Sequence, residues 1–333
     1  MKAIGIMTSV DVIVPCYNYG SMLEGCVQSI LSQQGVAVRV FIVDDASSDE
    51  TPEVGRRLAR ADLRVQYWRH SVNQGHINSY NEALARVTAS YCVILSADDL
   101  LTPGSLLRAT RVLEANPEAG LAYGRDIPFR DAPPVMGPFP RVCTHTIFDY
   151  RTFLERACRL GHTGIQAPSA IVRTSLHKAI GGYLVELPHS GDTEIWLRMA
   201  AGAPVVELHA EQSFRRLHSR SMSLTYTPLE RLREQRRAFE IHFADVRDAH
   251  PEVSDVVPVM CRTIAESAFW SAVRAFEAEQ DDLCEAFLAF AVETDPGVAD
   301  NPAWRRLRWK RRAGHAALRW LTPLARLRQA TWA

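Results

Sequence analysis

Five aspartates carry most of the chemistry legible in this 333-residue chain: Asp44, Asp45, Asp98, Asp99 and Asp192. The first two pairs each follow an apolar, β-rich run, so their carboxylates project past a strand end, where an open parallel sheet presents its ligand crevice. A carboxylate at Asp44 can accept from the N3–H of a uracil or thymine ring. Asp98 and Asp99 can hold Mg2+ or Mn2+, hard cations that take carboxylate oxygens and bridge to diphosphate. Such an ion stabilises charge developing on a departing diphosphate. Asp192, just ahead of a helix that includes Trp196, can take the proton from an attacking hydroxyl. The set answers the needs of a nucleotide diphosphate sugar: reading the base, neutralising the leaving group and activating the acceptor.

Elements that must hold these residues are visible in the first hundred positions. Strands are expected over 10–15, 38–44, 64–68 and 91–96, with helices over 21–34, 53–61 and 77–87 between them. That alternation is the pattern of a parallel sheet wound by crossover helices. Ser48 or Asp49 is placed to cap the second helix. Thr102-Pro103 opens another, since proline is tolerated in a first turn with spare N–H groups. From Gly124 to Thr146 the pattern breaks into a Pro-rich segment, expected as an acceptor-side loop or a lid. After Pro228 the strands vanish, and helices are expected over 229–249, 257–279 and 281–292.

Blander roles compete at each position. Asp44 and Asp45 could cap the following loop, and Asp45 is the more structural of the two. Asp98-Asp99 could be a solvated turn, and Asp192 an ordinary helix cap. His218 is either a ligand or a satisfied polar residue, and Trp196 either stacks on an acceptor or fills the core.

The ordered set of motifs resembles glycosyltransferase family 2, the inverting enzymes of the GT-A fold, over about residues 10 to 224. The resemblance rests on Val12-Ile13-Val14-Pro15-Cys16-Tyr17-Asn18, Val43-Asp44-Asp45-Ala46-Ser47-Ser48-Asp49, Asn73-Gln74-Gly75 and Ser96-Ala97-Asp98-Asp99. It continues through Gly181-Gly182-Tyr183, Asp192-Thr193-Glu194-Ile195-Trp196 and His218-Ser219-Arg220-Ser221. It implies an α/β GT-A fold, a Rossmann-like mixed sheet, with nucleotide contacts from Pro15, Tyr17, Asn18, Asp44, Asn73, Gly75 and Asp98. It further implies a DXD-type metal site at Asp98 and Asp99 with His218 on the metal or diphosphate, and Asp192 as base of a single displacement. Glu194 and Trp196 would face the acceptor. Two departures stand out: Ser79-Tyr80-Asn81 where many members have Ala-Arg-Asn, and Gly191 where an acid usually precedes the base.

The bulk composition agrees with a globular enzyme: 47% of residues are hydrophobic and 23% charged. No apolar run approaches the roughly 20 residues of a bilayer span, and residues 1–14 lack the features of a secretory signal. Seven scattered cysteines without CxxC spacing point to neither disulfides nor zinc, and a cytoplasmic setting is expected. Nine Lys and Arg follow residue 300 with no acid, so the zero net charge divides into a body of −9 and a basic tail. With Trp304, Trp309 and Trp320 interleaved, the stretch 304–328 suits either an anionic membrane surface at the inner face of the membrane or packing on the body. Beyond charge, nothing in it points to nucleic acid.

The expected organisation is a catalytic domain over 1–226 and a helical extension with a basic tail over 227–333. The expected activity is sugar transfer from a UDP-sugar, or a dTDP- or GDP-sugar, to a glycan, lipid-linked saccharide or natural product. A sugar-phosphate nucleotidyltransferase is disfavoured, because 15–20 lacks the Gly-rich, basic loop that chemistry needs. The remaining alternative is a non-catalytic relative that binds a nucleotide sugar or glycan within an assembly.

Overall fold

The computed structural model describes residues 7–135, 138–140, 142–219, 221–222 and 226–330, with side chains to residue 316. β1 (Ser9–Cys16), α1 (Gly20–Leu31), β2 (Ala37–Asp44), α2 (Thr51–Ala61), β3 (Val65–Arg69), α3 (His76–Arg86) and β4 (Tyr91–Ile94) alternate as expected. Next come β5 (Leu100–Leu101), α4 (Ser105–Ala115), β6 (Leu121–Phe129), β7 (His145–Phe148), α5 (Tyr150–Leu160), β8 (Ile171–Arg173) and α6 (Thr174–Ile180). α7 (Gly191–Gly202) and β9 (Val205–Arg216) complete the α/β body.

Among the described residues the strands form one mixed sheet in the order β3-β2-β1-β4-β8-β6-β9-β5, with β7 also on β9. β1 pairs in parallel with both β2 and β4, while β8 runs antiparallel between β4 and β6. In β1, Val10, Val12 and Val14 enter one buried cluster and Ile13 the other. Both faces of the sheet are therefore covered, which is why this strand reads as a nearly continuous apolar run, broken by Asp11, whose buried carboxylate pairs with Arg39.

Two expectations change. The helix expected to open at Thr102-Pro103 starts at Ser105, because Gly104 sits at φ 73° and ends the preceding turn. The Pro-rich segment is not loop from Gly124: β6 continues to Phe129, and β7 closes the far side against β9. β8 pairs only with Leu121 and Ala122 of β6, so the rest of that strand has a free edge that accommodates Pro128.

The extension comprises α8 (Pro228–Val246), α9 (Val257–Glu277), α10 (Asp281–Thr294) and α11 (Pro302–Ala330). A capping box between Thr227 and Glu230 starts α8. Phe239, Phe269, Phe276 and Phe287 of these helices share one buried cluster with Phe153 of α5 and Ile195 and Trp196 of α7, so body and extension have a common core. α11 breaks its helical geometry at Gly314, where φ is 75° and ψ 157°. Ahead of that break the tail packs: Leu307 is 3% exposed and Trp304 stacks on Phe269 at 5.4 Å. Lys310 and Arg311 pair with Glu277 and Glu285. Leu318, Trp320, Leu321, Leu324 and Leu327, expected to contribute to the same face, have side chains outside the described residues. No helix among the described residues is long and apolar enough to cross a membrane.

Candidate functional site

Parallel pairing of β1 with β2 sets Cys16 opposite Asp44, so the loops leaving both strands start side by side. Asp44 is completely buried. Its carboxylate accepts from the Ser47 N–H at 2.8 Å and the Tyr67 hydroxyl at 2.7 Å, with Arg69 at 3.3 Å. Tyr17 is 49% exposed at the mouth of this corner. Asn18, at φ 58°, accepts from Ser48 N–H while its own N–H donates to the Ser47 hydroxyl. Asn18 thus welds the first strand-end loop to the second.

Asp45 has the structural role expected of it. It accepts from the N–H groups of Gln74 and Gly75 and from His70 Nδ1, each at 2.8 Å. The other ring nitrogen of His70 meets Glu82 at 2.7 Å. Burial alone would lower the His70 pKa, but these two carboxylates outweigh it and raise it. Asn73 accepts from the Gly75 N–H at 3.0 Å. Gly75 has φ 83°, and an added Cβ would meet no atom within 4 Å, so its backbone borders open space in front of α3.

The acid pair follows β4, and the end of β9 comes to meet it through the pairing of Leu100 with Phe214. Arg216 donates its backbone N–H to Asp99 Oδ1 at 2.8 Å and its Nε to the Asp98 carbonyl at 3.1 Å. His218 Nε2 lies 2.9 Å from Asp98 Oδ2. The structure therefore brings Asp98, Asp99 and His218 to one place, although no cluster of three or more metal-type side chains is already formed among the described residues. Carboxylates and an imidazole are side-chain types that divalent cations take as ligands. Burial first, then the charge of Asp98, push the Asp99 carboxyl well above the usual range, and His218 Nδ1 is a buried nitrogen without a partner among the described residues.

Asp192 lies in the first turn of α7 rather than ahead of it. Ser190 is the N-cap, so the capping role weighed for Asp192 belongs to another residue. Burial raises its carboxyl from 3.8 to about 6, with the nearby Tyr183 hydroxyl opposing in part. Tyr80 packs edge-on to Tyr183 at 5.3 Å and to His76 at 5.4 Å. Burial, then the charges of Asp192, Asp98, Tyr19 and Asp99, raise its phenol, so Tyr80 lies near both Asp192 and the acid pair. The Gly181-Gly182-Tyr183 turn that holds Tyr183 is clamped by Asn81, which accepts from Tyr183 N–H at 2.8 Å and donates to its carbonyl at 2.9 Å. A Cβ on Gly182 would fall 2.4 Å from the Asn81 oxygen. A cavity of about 560 Å³ lies behind this turn, lined by Leu84, Cys92, Thr174 and Lys178, with none of the five aspartates in its wall.

Of the two acceptor-side candidates in α7, Glu194 is 1% exposed and gives both oxygens to Arg198, at 2.7 and 2.6 Å. Trp196 is 3% exposed within the shared core, the second of the two roles weighed for it. Both are buried because α7 is covered around most of its circumference. Sequence reading also missed Tyr67 and Arg216, and noted Tyr80 only as a departure from the family pattern.

The chain matches the model of the family described as glycosyl transferase family 2 over residues 11–181. It is 27% identical over 217 residues to the uncharacterised protein MT1568 of Mycobacterium tuberculosis, covering 62% of this chain and 66% of that protein, just under two thirds of its length. Among solved structures it resembles residues 1–349 of S. aureus TarS in complex with UDP-GlcNAc, with TM-score 0.56, 15% identity and coverage of 85% and 91%. It also resembles the mannosyltransferase PcManGT from Pyrobaculum calidifontis in complex with GDP-Man and Mn2+, with TM-score 0.53, 19% identity and 86% of each chain covered. These likenesses show the GT-A fold, with its mixed sheet. With the matched segment running from the first strand through the Asp44 and Asp98-Asp99 corners to Gly181, the chain belongs to glycosyl transferase family 2.

Proposed function

We propose that this protein transfers a sugar, with inversion, from a nucleotide diphosphate sugar, a UDP-sugar first, to an acceptor hydroxyl of a glycan, lipid-linked saccharide or natural product. The observation that carries the reading is a buried acid pair with His218 at the end of β4 and a second carboxyl, Asp192, raised to about 6, both near enough for their charges to act on the Tyr80 phenol. A general base is most effective when its pKa lies near the working pH.

In this reading the Pro15–Asn18 loop and the Asp44 corner receive the base and ribose, Tyr17 being the exposed member. Asp98, Asp99 and His218 would hold Mg2+ or Mn2+, which when bound supplies Lewis-acid stabilisation of the diphosphate. Gly75 leaves room for the donor in front of α3. Asp192 takes the proton of the acceptor hydroxyl as its oxygen attacks the anomeric carbon opposite the leaving diphosphate. Tyr80, near both, supplies an O–H where many family members supply an arginine. The Mn2+ in the PcManGT complex and the UDP-sugar in the TarS complex support metal and donor class by likeness.

The test is a thermal-shift series against UDP, dTDP, GDP and CDP, each with and without Mn2+, on the wild type and Asp99→Asn. A ligand at a hundred times its dissociation constant adds about 2.7 kcal/mol to stability. A Mn2+-dependent shift with UDP, absent in Asp99→Asn, is expected. A shift with no nucleotide in the wild type would refute the donor reading.

A further inference from the structure

Residues 184–190, between Tyr183 and α7, form turns only, yet their end is held from two sides. His76, the first residue of α3, donates Nε2–H to the Pro188 carbonyl at 2.7 Å. From the other side, Glu234 of α8 accepts the N–H of His189 at 2.6 Å and the N–H of Ser190 on the same oxygen. The His189 ring lies against Tyr226, 4.7 Å away, just ahead of the α8 capping box. Ser190 is the N-cap of α7, and its own side chain makes no capping bond. In a capping box a glutamate on the same helix accepts the N-cap N–H. Here the acceptor comes from a different helix, 44 residues on, and its negative charge also suits a helix N-terminus.

We propose that Glu234 is a positioning residue for Asp192, two residues past that N-cap, which makes the helical extension part of the catalytic centre. The inference rests on the reading of Asp192 as base. Glu230 closes the capping box at the start of α8 and so fixes the turn from which Glu234 reaches back. Without its carboxylate, two N–H groups lose their acceptor and the first turn of α7 is free to shift. A misplacement of about 1 Å away from the chemistry costs on the order of 100-fold in rate.

The experiment measures UDP release from UDP-glucose and UDP-N-acetylglucosamine with Mn2+ by the wild type, Glu234→Ala, Glu234→Gln and Asp192→Asn. UDP-induced thermal shifts of the same proteins show whether each still folds and binds. Glu234→Ala is expected to lose about 10- to 100-fold in kcat while its KM and its UDP shift stay at wild-type values. Glu234→Gln keeps an amide oxygen for both N–H groups and is expected to recover most of the rate. Wild-type kcat in Glu234→Ala overturns the proposal, as do loss of the UDP shift together with kcat, or failure of Gln to rescue. An active Asp192→Asn refutes the base reading itself. An inactive Asp192→Asn beside a fully active Glu234→Ala refutes only the positioning.

Discussion

Replacing Asp192 with asparagine is expected to stabilise the protein at neutral pH while abolishing transfer. Burial lifts the folded-state carboxyl from 3.8 to about 6, so the native fold prefers it protonated. The sign is opposite to that of a salt-bridged aspartate. Below about pH 4 the acid is neutral in both states and costs nothing; between about pH 4 and 6 the unfolded chain ionises while the fold keeps its proton, so stability falls, and above about 6 the whole difference remains as a poorly solvated charge in the fold. A shift of about two units at 1.36 kcal/mol each amounts to about 3 kcal/mol. Solvent reaching the half-buried side chain screens part of this, which leaves about 2 kcal/mol. Asparagine is nearly isosteric and has no charge to bury. Urea unfolding followed by tryptophan fluorescence should place Asp192→Asn above the wild type by about this amount at pH 8, and the gap should close near pH 4. A variant no more stable than the wild type at pH 8, or a gap independent of pH, would refute the reasoning.

Gly182→Ala forces a Cβ to within 2.4 Å of the Asn81 oxygen and is expected to cost about 1–3 kcal/mol, read as a lowered melting temperature in calorimetry. For the tail, a chain ending at His315 keeps the Trp304 and Leu307 contacts and should melt like the full chain. One ending at Asn301 gives up both and is expected to lose about 3–5 kcal/mol by the same measurement.

Much of this was legible because the parallel half of the sheet is buried on both faces. Runs such as Val38–Val43 have no polar residue to confuse the period, apart from Arg39, whose head reaches Asp11 at 2.6 Å. The acids at Asp44, Asp98 and Asp192 stood out because each comes at the end of such a run or the start of a helix. The antiparallel half was opaque. β6 contains Pro128 and β9 alternates charged with apolar residues, so their pairing depends on partners distant in the chain. The role of Glu234 was hidden for a related reason: a capping glutamate is recognisable three residues from its N-cap, and this one is 44 away. Glu194 misled because two positions along a helix is more than half a turn around its axis, so it turns inward to Arg198; Trp196 was open between acceptor and core, and it lies in the core.

The common core of body and extension limits how this chain can be recombined with its relatives. The matched family segment stops at Gly181, yet Phe153 and Leu154, inside that segment, pack in one cluster with Ile195, Phe239 and Phe269 beyond it. A chimera spliced at that boundary would mate two half-cores of foreign shape and part Asn81 and His76 from the turns at Tyr183 and Pro188 that they hold. Exchanging sugar specificity is therefore better attempted by grafting surface loops at the crevice mouth than by swapping whole modules.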